Sequence, residues 1–209
     1  MIGKQEIQKS VTLFKRWDRE GVWEKPSQAF ISHTDIKAKD SLNTALALKN
    51  LMEDKILCEK VLNAQFNASL WIINASYYSM FFLAQVLLSR DGKKLPKGTK
   101  DTHKTLVLAV LYYYLIKGSG LEGKNIDWKD IKETRMSKAF VRLRQSQNDA
   151  EELLQINRAK DAVDTLKSEL DKRNQFTYQT TADIELKYAK TSVRRAREFR
   201  TTVLEYMEK

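Results

Sequence analysis

Proline and glycine are scarce in this chain: 209 residues include only 2 Pro and 7 Gly. So little turn punctuation excludes a fold of many short strands and leaves long, helix-periodic stretches. Cysteine occurs once, at Cys58. An intrachain disulfide is thereby ruled out, in keeping with a reducing compartment. Two distant histidines, His33 and His103, complete no zinc set of the usual spacing with that single cysteine, so neither metal nor cofactor is expected. The stretch Met1–Ser10 lacks the apolar core of a signal peptide, and the expected location is the cytoplasm.

Acidic residues are outnumbered, 27 against 37 Lys and Arg, for a formal charge of +10. A basic excess of this size suits RNA, DNA or an acidic protein surface, and it also serves ordinary solubility. Charge is absent altogether from Val61 to Ser89, although 31% of the chain is charged. That run is long enough to span a membrane. However, it carries Asn63, Gln65, Asn67, Asn74 and Gln85, whose amides are costly in hydrocarbon. Its flanks show no charge asymmetry of the kind that orients a span. The reading is a buried bundle helix, with no membrane partner.

The chain reads as all-α, an antiparallel bundle of four to five core helices with a short N-terminal helical extension. The extension covers residues 1–33, with a helix over Lys4–Arg19 and a turn at Gly21 and Pro26-Ser27. The bundle covers residues 34–209. Its first helix is expected from Thr34, a good N-cap, to about Lys55. A second spans about Glu59–Arg90, with Tyr77 and Met80 on one face and Trp71, Ala75, Tyr78 and Phe82 on another, which predicts neighbours on both sides. A loop over Asp91–Lys100 holds four lysines, a weak candidate for gripping phosphate because it lacks the glycines of a phosphate-binding loop. Helix three runs from Asp101 to about Lys117. One long helix, or two in succession, follows from Asp127 to Arg173, and a last helix covers Thr181–Glu208.

Two basic stripes recur at helical spacing. Lys187, Lys190, Arg194 and Arg197 lie beside the apolar stripe Leu186, Ala189, Val193, Ala196, Val203 and Met207. Arg135, Lys138 and Arg142 repeat the spacing. Side chains so placed can follow a phosphate backbone. Alternatively their aliphatic stems shelter the apolar edge and their charges face water. Lateral proximity of the two stripes would favour the phosphate reading.

The segment Asn74-Ala75-Ser76-Tyr77-Tyr78-Ser79-Met80-Phe81-Phe82-Leu83-Ala84-Gln85 resembles the Ala-Tyr-Tyr-Ala-Met-Phe helix of the HEPN superfamily (higher eukaryotes and prokaryotes nucleotide-binding domain). Arg173-Asn174-Gln175-Phe176-Thr177-Tyr178 is similar to the signature in which Arg and a polar residue precede a His, and His103-Lys104 is similar to the opening of the family's third helix. The resemblance covers about 34–209. It implies a homodimer acting on RNA or a nucleotide, either as a metal-independent ribonuclease of toxin–antitoxin or defence type, or as a non-catalytic module. A nucleotidyltransferase antitoxin is the implied protein partner. Arg173 would hold the scissile phosphate, with Asn174, Tyr178 and His103 beside it. Tyr178 stands where the active pattern has His, and a phenol titrating near pH ~10 is a poor general base.

Overall fold

The computed structural model describes residues 3–61, 68–122, 126–131, 133–168 and 179–208; at 55, 61, 153–168 and 179–186 only the backbone is described. Seven α-helices occur among them: α1 Lys4–Glu20, α2 Gln28–Glu53, α3 Lys55–Val61, α4 Ser69–Arg90, α5 Thr102–Val110, α6 Arg135–Ser168 and α7 Gln179–Met207. The fold is an all-α helical bundle.

α4 is its axis. Its lack of charge is explained by burial against α2, α5, α6 and α7. Although α4 is long and apolar enough to cross a membrane, 72% of its apolar window lies inside the bundle. Ser79 Oγ donates to the Ala38 carbonyl at 2.8 Å, and the Ala68 amide meets Met52 Sδ at 3.3 Å, so α2 runs antiparallel to α4. Arg90 donates to the Met207 carbonyl, while Ile72 packs near Ala189 and Val193, which sets α7 parallel to α4. Arg135–Glu205 at 2.6 Å, Arg142–Glu198 at 2.7 Å and Arg195–Asp149 fasten α6 antiparallel to α7. Of the apolar stripe of α7, Ala189, Val193, Ala196 and Val203 are buried and Met207 partly so, while the side chain of Leu186 lies outside the described ones.

α1 shares this core. Ile7, Val11 and Phe14 are buried in the same cluster as α4 and α5, and Ser10 Oγ donates to the Leu108 carbonyl at 2.9 Å. Gly21 closes α1 in a left-handed conformation (φ 64°), where a residue without Cβ is unstrained. α2 starts at Gln28, earlier than expected. Ser27 caps it by accepting from the Phe30 amide at 3.1 Å. Thr34 is instead buried in mid-helix, its hydroxyl donating back to the Phe30 carbonyl at 2.7 Å. The second predicted helix is divided: its start at Glu59 lies in α3, and α4 opens at Ser69 after its N-cap Ala68. Asp54 ends α2, and its carboxylate accepts from the Leu57 amide at 2.9 Å to open α3.

α5 continues as a π-helix over Leu111–Ile116 and a 3-10 turn over Lys117–Ser119. The wider π turn fans out three consecutive tyrosines, each donating to a different carboxylate: Tyr112 to Glu122, Tyr113 to Asp18, and Tyr114 to Asp91 at 2.6 Å. Burial and these acceptors push all three phenols well above their ordinary range. The tyrosines therefore serve as neutral hydrogen-bond donors that fix the π segment.

Candidate functional site

Three elements meet at a cleft of ≈ 500 Å³: α4 with Asn74, Tyr77 and Tyr78, the start of α5 with Asp101, His103 and Lys104, and α6 with Ala150 and Glu151. The i, i+3, i+4, i+7 spacing of Asn74, Tyr77, Tyr78 and Phe81 brings these residues onto one side of α4. Asp101 turns the chain into α5 with φ 49°, a left-handed conformation that Asp tolerates. The first turn of α5 thereby sets the imidazole of His103 on the Phe81 ring, with centroids 4.3 Å apart and planes 20° apart.

The Tyr77 hydroxyl lies 2.7 Å from His103 Nδ1. Burial, reinforced by the Glu151 charge, holds the Tyr77 phenol well above its usual range, so it keeps its proton. Among the described residues its one hydrogen-bond partner is that nitrogen. When the phenol donates to Nδ1, the imidazole carries its proton on Nε2. Burial pushes the His103 pKa below its ordinary 6.5, against an opposing pull from Glu151. At neutral pH His103 is thus a neutral ring that offers an N–H. It is suited to binding more than to accepting a proton.

Tyr78 remains 41% exposed at the cleft, and Trp71 on the same side of α4 is 63% exposed. The sequence pattern predicts a neighbouring helix on this stripe; in the fold the two rings are open to solvent. Glu151 is held from behind by a relay. Arg144 ion-pairs with Glu6 of α1 at 2.8 Å and donates to Gln147 Oε1 at 3.1 Å. The Gln147 amide then donates to Glu151 Oε1 at 2.8 Å. Asn74 and Lys104 fall within the sequence motifs but have no role assigned by them, and neither Glu151 nor this relay is apparent from the sequence pattern. The polar i, i+3, i+7 series Arg144, Gln147, Glu151 is the one signal that points to it.

Of the residues named from sequence, the structure brings His103 against the Tyr-Tyr helix. Arg173, Asn174 and Tyr178 lie outside the described residues. The two basic stripes differ in their ion pairs among the described residues. Arg135 and Arg142 are neutralised by Glu205 and Glu198 of α7, and Lys138 pairs with Glu133 at 2.9 Å. On α7, Lys190 reaches Glu53 of α2 at 3.0 Å. Lys187, Arg194 and Arg197 are exposed and make no ion pair among the described residues.

The lysine loop has a structural task. Lys94 ion-pairs with Glu24 at 2.6 Å and sits over Phe30, the Glu24 and Lys94 backbones form a bridge, and Lys93 lies over the Tyr113 ring. Among the described residues no group of three His, Cys, Asp or Glu side chains is arranged to hold a metal ion. Comparison with known families, characterised proteins and solved structures returns no match for this chain.

Proposed function

We propose that this protein is a HEPN-like, RNA-directed module whose cleft between α4, α5 and α6 receives one base of a single strand or of a nucleotide. The observation that carries this reading is the His103 ring, held by Tyr77 and Phe81 beside the exposed Tyr78 in a cleft of ≈ 500 Å³. That volume falls within the range of about 300–1,000 Å³ common to small-molecule sites. Base–aromatic stacking contributes about 1–3 kcal/mol per base and is available to any base.

The cleft's polarity argues for a base in preference to a phosphate. Among the described residues Asp101 and Glu151 line it against the single cation Lys104. A phosphate therefore belongs outside, where Lys187, Arg194 and Arg197 are unpaired among the described residues and where the +10 charge acts at longer range. A homodimer in the cytoplasm, with a nucleotidyltransferase as partner, completes the proposal that the family resemblance motivates.

Binding of fluorescently labelled single-stranded RNA tests it. Salt-sensitive binding that weakens in Tyr78→Ala and His103→Ala supports the proposal, and binding that ignores both substitutions refutes this placement. The ribonuclease reading rests on Arg173, Asn174 and Tyr178. Cleavage of labelled RNA in EDTA that disappears in Arg173→Ala supports that part, and absence of cleavage leaves a binding module.

A further inference from the structure

The relay behind Glu151 bears on which base the cleft takes. We propose that the cleft selects guanine, with the Glu151 carboxylate accepting from the base's N1–H and N2–H while the His103 imidazole donates from the other side. This inference rests on the base-binding reading of the cleft and adds its specificity.

Glu151 is the residue best placed to discriminate. The Arg144 guanidinium donates to Gln147 Oε1, which fixes the orientation of the amide and turns its NH₂ toward Glu151 Oε1. Gln147 is only 1% exposed, so this orientation is locked by packing as well. The carboxylate is thereby presented as a preorganised acceptor; among the described residues Oε2 keeps both its lone pairs while Oε1 keeps one for a ligand. Guanine alone among the common bases carries two adjacent donors on its Watson–Crick edge. Adenine and cytosine each offer a single exocyclic amine beside a ring acceptor, and the N3–H of uracil is flanked by two carbonyls that repel a carboxylate. His103 contributes the complementary donor. With Tyr77 at Nδ1, Nε2–H remains to meet a carbonyl or a ring nitrogen, both of which guanine presents on its other edge. Tyr78 supplies the stacking surface, which does not itself discriminate.

The test is calorimetric titration of the full-length protein with GMP, IMP, AMP, CMP and UMP. GMP should bind most tightly, and IMP, which lacks the N2 amine, more weakly than GMP. Glu151→Gln should lower GMP affinity by roughly 5- to 150-fold, the range of a bidentate base contact, while leaving AMP, CMP and UMP within error. Gln147→Met removes the support without touching the ligand. It should reduce the GMP-to-AMP affinity ratio, a readout that general loss of stability does not move. Equal binding of all five nucleotides, or a GMP preference unchanged in Glu151→Gln, overturns the guanine assignment and leaves base binding standing. No binding of any nucleotide overturns both.

Discussion

Tyr77 and His103, on different helices, share a hydrogen bond of 2.7 Å between the phenol and Nδ1, and the imidazole lies flat on Phe81. Burial keeps the imidazole neutral, and Glu151 is the group that opposes this. In an NMR titration His103 should therefore titrate below 6.5, and Glu151→Gln should lower its pKa further. An upward shift in that variant would contradict the electrostatics described for the cleft.

The same ring makes stability depend on pH. The unfolded chain takes up a proton at His103 near 6.5, and the folded chain does so only at lower pH. The stabilisation is fully present above that value and is lost as pH falls toward the folded pKa, because the unfolded state then binds more protons. Melting temperature should drop between about pH 7.5 and about pH 5.5. It should drop less in His103→Gln.

Asp18 binds α1 to the π segment. It accepts from Tyr113 and from Trp23 Nε1 at 3.2 Å, and it pairs with Lys117 at 3.0 Å. Burial pushes its carboxyl up, but the bonds from Tyr113 and Lys117 outweigh it and hold the group below 3.8. Tyr113→Phe should cost about 1.5–3 kcal/mol in chemical denaturation near neutral pH, the scale of a hydrogen bond to a charged group. The loss should shrink in acid, as Asp18 is protonated in the folded state. Equal losses at both pH values would contradict a charge-assisted bond from Tyr113 to Asp18.

Phe14 tests whether α1 is an appendage or part of the core. It is fully buried among Trp17, Trp23, Tyr112 and Tyr113. Phe14→Ala should destabilise the whole protein by about 3–5 kcal/mol in a single transition. A separate early transition for α1 would assign it an independent unit.

Much of the fold is legible in the sequence because burial and helical period are local signals. The charge-free run marks α4, and the Ala189, Val193, Ala196 series marks the inner face of α7. Thr34 misleads because a Thr followed by Asp resembles a cap in sequence, whereas Ser27 has the free backbone amide of Phe30 to accept from. The π turn at Leu111–Ile116 leaves no periodic trace in so short an apolar stretch. His103 stands out as a candidate in the sequence, but its partner on another helix does not, and the link from Glu6 to Arg144 depends on tertiary packing. The basic stripes look alike in sequence. Only the fold shows that Glu198 and Glu205 occupy one of them.

That difference gives a salt-dependence prediction. Replacing Lys187, Arg194 or Arg197 by Ala should reduce the salt slope of RNA binding by about 1 for each side chain that neutralises a phosphate. Arg135→Ala and Arg142→Ala should leave the slope unchanged, since those charges are already neutralised by carboxylates of α7. The reverse pattern would move the phosphate path to α6.

The most direct test is a chemical-shift map of the protein titrated with a short single-stranded RNA. The largest changes should fall on Tyr78, His103, Lys104 and Glu151, with the His103 ring resonances moving together with the Tyr78 ring. A map that leaves these four residues still while others shift would contradict a base-binding cleft between α4, α5 and α6.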